Sequence, residues 1–479
     1  MRPFLPNLVR CCLLLLVVTG CRASLFHSSP DLGLLYTREA SSEGPERNPV
    51  IVIPGLTGSR LVDPASGRLI WGAFSGDYAK PDNAEDVRLL ALPMAESMPL
   101  RDLQDGMVPD GVLDRVRIRL LGVPVDLRAY FQILSALGVG GYRDESIELT
   151  DKVDWGESHF TCFQFDYDWR RDNVENAKRL HQFIEQKRAY VRAEIKQRYG
   201  VDREDIKFDV VAHSMGGLLL RYYLRYGATD LSEDGSLPEV TWAGAANVDR
   251  AILVATPNAG TLESLEQLTQ GRDYGPFLPK YSATILGTFP SGYQMLPRGR
   301  HRMLTVDGEN VPDVFDPALW QRMQWGLAAP EAETELQWLL PEVEDPAARR
   351  RIALDHQRKN LARAKQFAAA LDRQAEPPRS VEYYLIAGDS IPTPRRADAR
   401  SQSGKIEVVE TAPGDSKVLR SSALLDERLD GHWQSGLRTP IPWRNAMFLS
   451  KGHLGLTKDP VFTDNLLFWL LQQPRDVGR

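Results

Sequence analysis

The sequence predicts an α/β protein with a mostly parallel central sheet, helices on both faces and an inserted cap. Three observations carry that expectation. Short runs of β-branched and apolar residues alternate with longer helical patterns, as a parallel sheet with crossover helices requires. One such run, residues 206–211, passes straight into Ala212-His213-Ser214-Met215-Gly216-Gly217 and then into a helical stretch. The pattern breaks over 257–378 and resumes with a strand-like run at 381–387 (VEYYLIA), so the intervening residues read as an insertion.

The chain has 479 residues, 43% hydrophobic and 25% charged, which supports one large core. Residues 49–53 (PVIVI) are the first expected strand, ending at Pro54-Gly55. Residues 56–155 carry weak periodicity, apart from a helical stretch near 127–137. Further strands are expected at 160–165, 206–211 and 250–255, with a charged helix over 173–198 between the first two. Within the insertion, 345–371 reads as a long helix. Residues 446–449 suggest a short strand, and 459–471 a closing amphipathic helix. The expected domain therefore spans 49–472, with its cap at about 257–378.

The N-terminus reads as an address. Arg2 and Arg10 flank a basic region before the apolar run CCLLLLVV at 11–18, too short for a membrane span but suited to a signal peptide. Val18-Thr19-Gly20-Cys21 resembles the lipobox of bacterial lipoproteins, which implies a signal peptide over 1–20 and lipid on Cys21. Residues 21–48 then read as a polar tether. The expected location is exported and lipid-anchored to a bacterial membrane, on its periplasmic or cell-surface face. A net charge of −6 argues against nucleic-acid partners. Four cysteines without CxxC or Cys/His clustering give neither a disulfide framework nor a metal site, and no cofactor is implied.

The segment VVAHSMGG has the form strand, small-x-Ser-x-Gly, helix. A serine there occupies a tight turn that lifts its hydroxyl above the sheet, so Ser214 is the expected nucleophile of an α/β-hydrolase fold. Ala212 stands where glycine is usual, a small steric difference. A serine hydroxyl needs a base oriented by a carboxylate, and in this fold the chain order is Ser, acid, His. His301, His356, His432 and His453 follow Ser214 at a distance. His453, between a candidate strand and the last helix, is the expected base; His432 is second choice, and His213 reads as packing or lining. Asp389 and Asp415 both have suitable places for the acid, while Asp426 and Asp430 lie in loops without special context. The oxyanion donors are expected to be the amides of Met215, after the nucleophile, and Leu56, in Pro54-Gly55-Leu56-Thr57-Gly58.

Several of these segments resemble the lecithin:cholesterol acyltransferase / phospholipid:diacylglycerol acyltransferase family. The likeness rests on PVIVIPGLTGSRL (49–61), FDYDWR (165–170), AHSMGG (212–217), ATPNAGT (255–261), PSGYQMLP (290–297), SIPTPR (390–395), 414–418 and 452–454. The resemblance implies Ser214, Asp415 and His453 as a triad. It favours Asp415 over Asp389, although Lys417 replaces a small or hydroxyl residue in the acid segment. The family's disulfide-closed lid cannot form with Cys162 as the one mature thiol besides Cys21. Asp168 and Arg170 suggest an ion pair beneath the site. Trp320, Trp325 and Trp338 are expected either to line a pocket or to pack the cap. The function so implied is acyl transfer or hydrolysis on lipid esters, with membrane lipids as substrate and surface. A water-soluble esterase or amidase, or an inactive lipid-binding lipoprotein, are the alternatives.

Overall fold

The computed structural model describes residues 30–74, 78–113, 115–120, 123–128, 130–148, 159–273, 279–428 and 435–475. The expected signal segment, Cys21, Asp430 and His432 lie outside them.

Six strands form the central sheet: β1 (Val50–Ile53), β2 (Cys162–Gln164), β3 (Phe208–His213), β4 (Val248–Val254), β5 (Glu382–Gly388) and β6 (Trp443–Leu449), in the order β6-β5-β4-β3-β1-β2. Every neighbouring pair is parallel. Parallel strands covered on both faces need apolar side chains in both directions, and β1 and β3 are buried along their whole length. Ile51 and Ile53 point into one core, shared with α3 (Asn173–Tyr199) and α4 (Met215–Tyr226). Val50 and Val52 point into the other, shared with α2 (Phe131–Val139) and α7 (Pro460–Leu467).

The long helices begin and stop on local chemistry. Asp172 caps α3 by accepting from the Val174 N–H, and Gly200 ends it at a φ of 71°. Asp345 caps α6 (Pro346–Asp372) through the Ala347 and Ala348 amides, with Pro346 where a missing N–H costs nothing. Residues 21–48 are not a free tether throughout. They hold α1 (Leu32–Ser41), whose buried Tyr36 donates to the Asp464 carbonyl at 2.8 Å. Its one inward side chain left too weak a periodic signal to read.

The cap holds α5 (Leu262–Gln270), α6 and several short helices. It also holds the strand Met303–Val306, which pairs in parallel with Ile391–Ala399, the first arm of a hairpin completed by Ile406–Gly414. Cap and hairpin thus share a second sheet of four strands. Trp320 and Trp325 are buried in the core beneath it, and their indole N–H groups donate to the Val314 and Gly404 carbonyls. They pack the cap.

Candidate active site

Ser214 joins β3 to α4 at φ 53° and ψ −125°, a conformation that costs a non-glycine residue roughly 1–3 kcal/mol. Its N–H donates to the Val254 carbonyl at 2.7 Å, pinning the turn to β4. The two glycines after Met215 answer close approaches. A Cβ on Gly216 would stand 2.4 Å from the Pro54 carbonyl oxygen, and one on Gly217 would stand 2.0 Å from Thr256 Oγ1.

His453 follows β6 and places Nε2 3.0 Å from Ser214 Oγ. Its Nδ1 lies 2.8 Å from Asp415 Oδ2. A carboxylate can only accept, so Nδ1 carries the proton and Nε2 is left to accept from the serine hydroxyl. The other Asp415 oxygen, Oδ1, accepts from the Lys417 and Val418 amides at 3.0 and 2.7 Å. Burial opposes the charged form of Asp415, but His453 and these two amides outweigh it and hold its pKa below the ordinary carboxylate value. Lys417 serves the acid through its backbone, while its side chain turns away to pair with Glu263. The substitution noted in the sequence therefore leaves the acid's hydrogen bonds intact.

The hairpin explains how Asp415 reaches this place. The chain leaves β5 at Gly388, runs out along Ile391–Ala399 and returns along Ile406–Gly414, with Ile391 opposite Gly414. This sets Asp415 against the end of β5, where a Cβ on Gly388 would be 2.5 Å from the Asp415 Cβ. Asp389 points elsewhere: its carboxylate meets Arg420 at 3.4 Å and remains partly exposed. Of the other candidates, Asp426 pairs with Arg428 and Arg300, and His356 sits buried in the cap against the Thr288 carbonyl.

Gly55 lies against the serine, with room for no side chain, since a Cβ there would be 2.7 Å from Ser214 Cβ. Leu56 follows it. Met215 is the first residue of α4, where the helix itself supplies no acceptor for the amide. The turn between them is held from several sides. Tyr167 Oη donates to the Pro54 carbonyl at 2.8 Å, Trp71 Nε1 to the Thr57 carbonyl at 2.9 Å, and the Gly58 amide to the Gly55 carbonyl at 3.0 Å. Arg170 is 1% exposed and bound to Asp168 and Asp105 at 2.7 and 2.6 Å, so the expected ion pair has a third member.

Beside Leu56 and Thr57 lies an apolar pocket walled by Leu61, Ile70, Trp71, Trp169 and Phe289. Its free volume is about 40 Å³. The sequence offered Trp320, Trp325 and Trp338 as pocket lining or cap core and gave no sign of Trp71. That residue lies in the stretch of weak periodicity and is brought to the site by the short strand Leu69–Trp71.

Residues 150–334 match the family model described as Lecithin:cholesterol acyltransferase. That stretch is similar to the family. It includes the element at 167–170, Ser214 and the front of the cap; Asp415 and His453 lie beyond it. A chain of the solved Tle4-Tli4 complex is similar over 89% of this chain and 98% of its own, at 15% identity and a TM-score of 0.50. That likeness concerns the fold, which is the α/β-hydrolase fold. Phospholipase PlaB from Legionella pneumophila overlaps 69% of this chain and 56% of its own at 12% identity, with a TM-score of 0.30, too loose to carry an argument. No curated protein matches the chain in sequence.

Proposed function

We propose that this protein is a serine-dependent enzyme that cleaves or transfers an acyl group from a lipid ester. The observation that carries the reading is the hydrogen-bonded series Ser214, His453, Asp415, set beside a fixed turn and an apolar pocket. Ser214 Oγ attacks the ester carbonyl while His453 Nε2 takes its proton. Asp415 keeps the other ring proton on Nδ1 and stabilises the imidazolium. The Leu56 and Met215 amides receive the oxyanion. Collapse expels the alcohol, protonated by His453, and leaves the acyl group on Ser214. A second hydroxyl, from water or from an alcohol, then repeats the steps in reverse. The apolar pocket beside Leu56 suits the start of an acyl chain.

Transfer rather than hydrolysis requires that a bound alcohol outcompete water beside His453, which orientation and a dry site can supply. The expected result, with phospholipid vesicles and a long-chain alcohol, is new ester alongside free fatty acid. Its share rises with alcohol concentration, as read by lipid product analysis. If free fatty acid is the sole product at every alcohol concentration, the enzyme is a hydrolase.

We also propose that the chain is exported and anchored through lipid on Cys21. Among the described residues no helix is long and apolar enough to cross a membrane, so a surface anchor would rest on the acyl chains. Intact mass of detergent-extracted protein is expected to show a chain starting at a lipid-bearing Cys21. An unmodified N-terminus overturns the anchor.

A further inference from the structure

Tyr130 and His213 take no part in the steps above, yet both are buried next to them. The Gly55 N–H can only donate, so Tyr130 Oη accepts from it, at 2.7 Å. The hydroxyl proton then meets His213 Nδ1 at 3.1 Å. An Nδ1 that accepts leaves the neutral ring protonated at Nε2, and Nε2 faces the His453 carbonyl at 3.4 Å. Burial, and then the neighbouring His453, push the pKa of His213 down to about 3, in keeping with a neutral ring. Gly58 belongs to the same arrangement, because a Cβ there would stand 2.8 Å from the Tyr130 ring.

We propose that Tyr130 and His213 are positioning residues that hold the oxyanion turn and the loop bearing His453 in register across Ser214. The inference rests on the acyl-enzyme reading above and adds what fixes its geometry. The peptide plane between Pro54 and Gly55 is gripped at both edges, by Tyr167 on the carbonyl and Tyr130 on the N–H. The next plane, which carries the Leu56 N–H, is held through the Gly55 carbonyl by Gly58. Gly55 has the widest backbone freedom of any residue type, so without these ties the Leu56 amide could swing away from the oxyanion. His213 extends the grip to His453, whose backbone N–H is already bound to the Asp415 carbonyl at 2.9 Å. One buried series thus links both sides of the reacting carbonyl. Removing the Tyr130 hydroxyl cuts it in the middle and deletes none of the reacting groups.

The test is Tyr130→Phe in the full chain, assayed with a p-nitrophenyl ester, a trifluoromethyl ketone that adds to the serine to form an oxyanion, and a non-cleavable ether analogue of the ester. Losing an oxyanion donor outright costs about 10²–10³ in kcat, so a misplaced one is expected to cost roughly tenfold to a hundredfold. Ketone affinity is expected to fall by the same factor, while KM and ether affinity stay within about twofold, because the lost interaction belongs to the transition state. Unchanged kcat in a folded Tyr130→Phe protein overturns the proposal. So does a parallel loss of ketone and ether affinity, which would mark a collapsed site. Should Tyr130→Phe not fold, His213→Leu decides by the same readouts, since it removes both the Nδ1 acceptor facing Tyr130 and the Nε2 donor facing the His453 carbonyl. Activity surviving in Ser214→Ala would sink the acyl-enzyme reading, an outcome separate from any Tyr130 result.

Discussion

Ser214→Ala is expected to abolish both ester turnover and covalent labelling by a fluorophosphonate probe. Removing the serine or the histidine of such a unit costs roughly 10⁶ in kcat. The probe needs an activated hydroxyl, and only a serine whose Oγ is within reach of a base has one. Ser214 Oγ is 3.0 Å from His453 Nε2, and its backbone is held at φ 53° by the Val254 carbonyl and the close packing of Gly216 and Gly217. Substitution by alanine leaves that turn its shape, so the protein should fold. His453→Ala should be nearly as slow to label although the serine remains, which separates activation from mere exposure. Intact mass after probe treatment reads both variants. Wild-type labelling in Ser214→Ala would move the nucleophile to another serine.

What the sequence disclosed follows how local each feature is. The strand, turn and helix around Ser214 are consecutive in the chain, so the pattern is readable, although its glycines answer contacts from the distant Pro54 and Thr256. His453 could be singled out because few histidines follow the serine and one of them precedes the last helix. The acid could not be decided from residues alone. Asp389 directly follows β5, whereas Asp415 reaches the same strand end only after a hairpin whose two arms pair over most of their length. Trp71 was hidden for a related reason, since it touches the turn at 54–58 from a stretch without clear periodicity, and Tyr130, at the start of the helical stretch near 127–137, gave no sign that it reaches the same turn. For the cap tryptophans the sequence left two readings open. A large aromatic near an expected pocket is equally suited to a core, and for Trp320 and Trp325 the core prevails.

Asp415→Asn is expected to lower kcat by on the order of 10⁴, and Asp389→Asn by no more than a few-fold. The argument turns on hydrogen-bond direction. In Asp415→Asn the amide oxygen would keep the Lys417 and Val418 amides, which demand an acceptor at 3.0 and 2.7 Å. The amide NH₂ would then face His453 Nδ1, where Asp415 Oδ2 now accepts at 2.8 Å. An NH₂ can only donate, so Nδ1 must surrender its proton and the ring must carry it on Nε2. That tautomer presents an N–H to Ser214 and cannot receive the hydroxyl proton. The site would keep its shape and lose its base. At Asp389 the same change removes a partly exposed pairing with Arg420, which solvent screens, and no ring depends on it. Steady-state hydrolysis by the two variants, each checked for folding by its thermal transition, gives the ranking. A larger loss in Asp389→Asn would transfer the acid to that residue and leave the buried carboxylate beside His453 without a catalytic part.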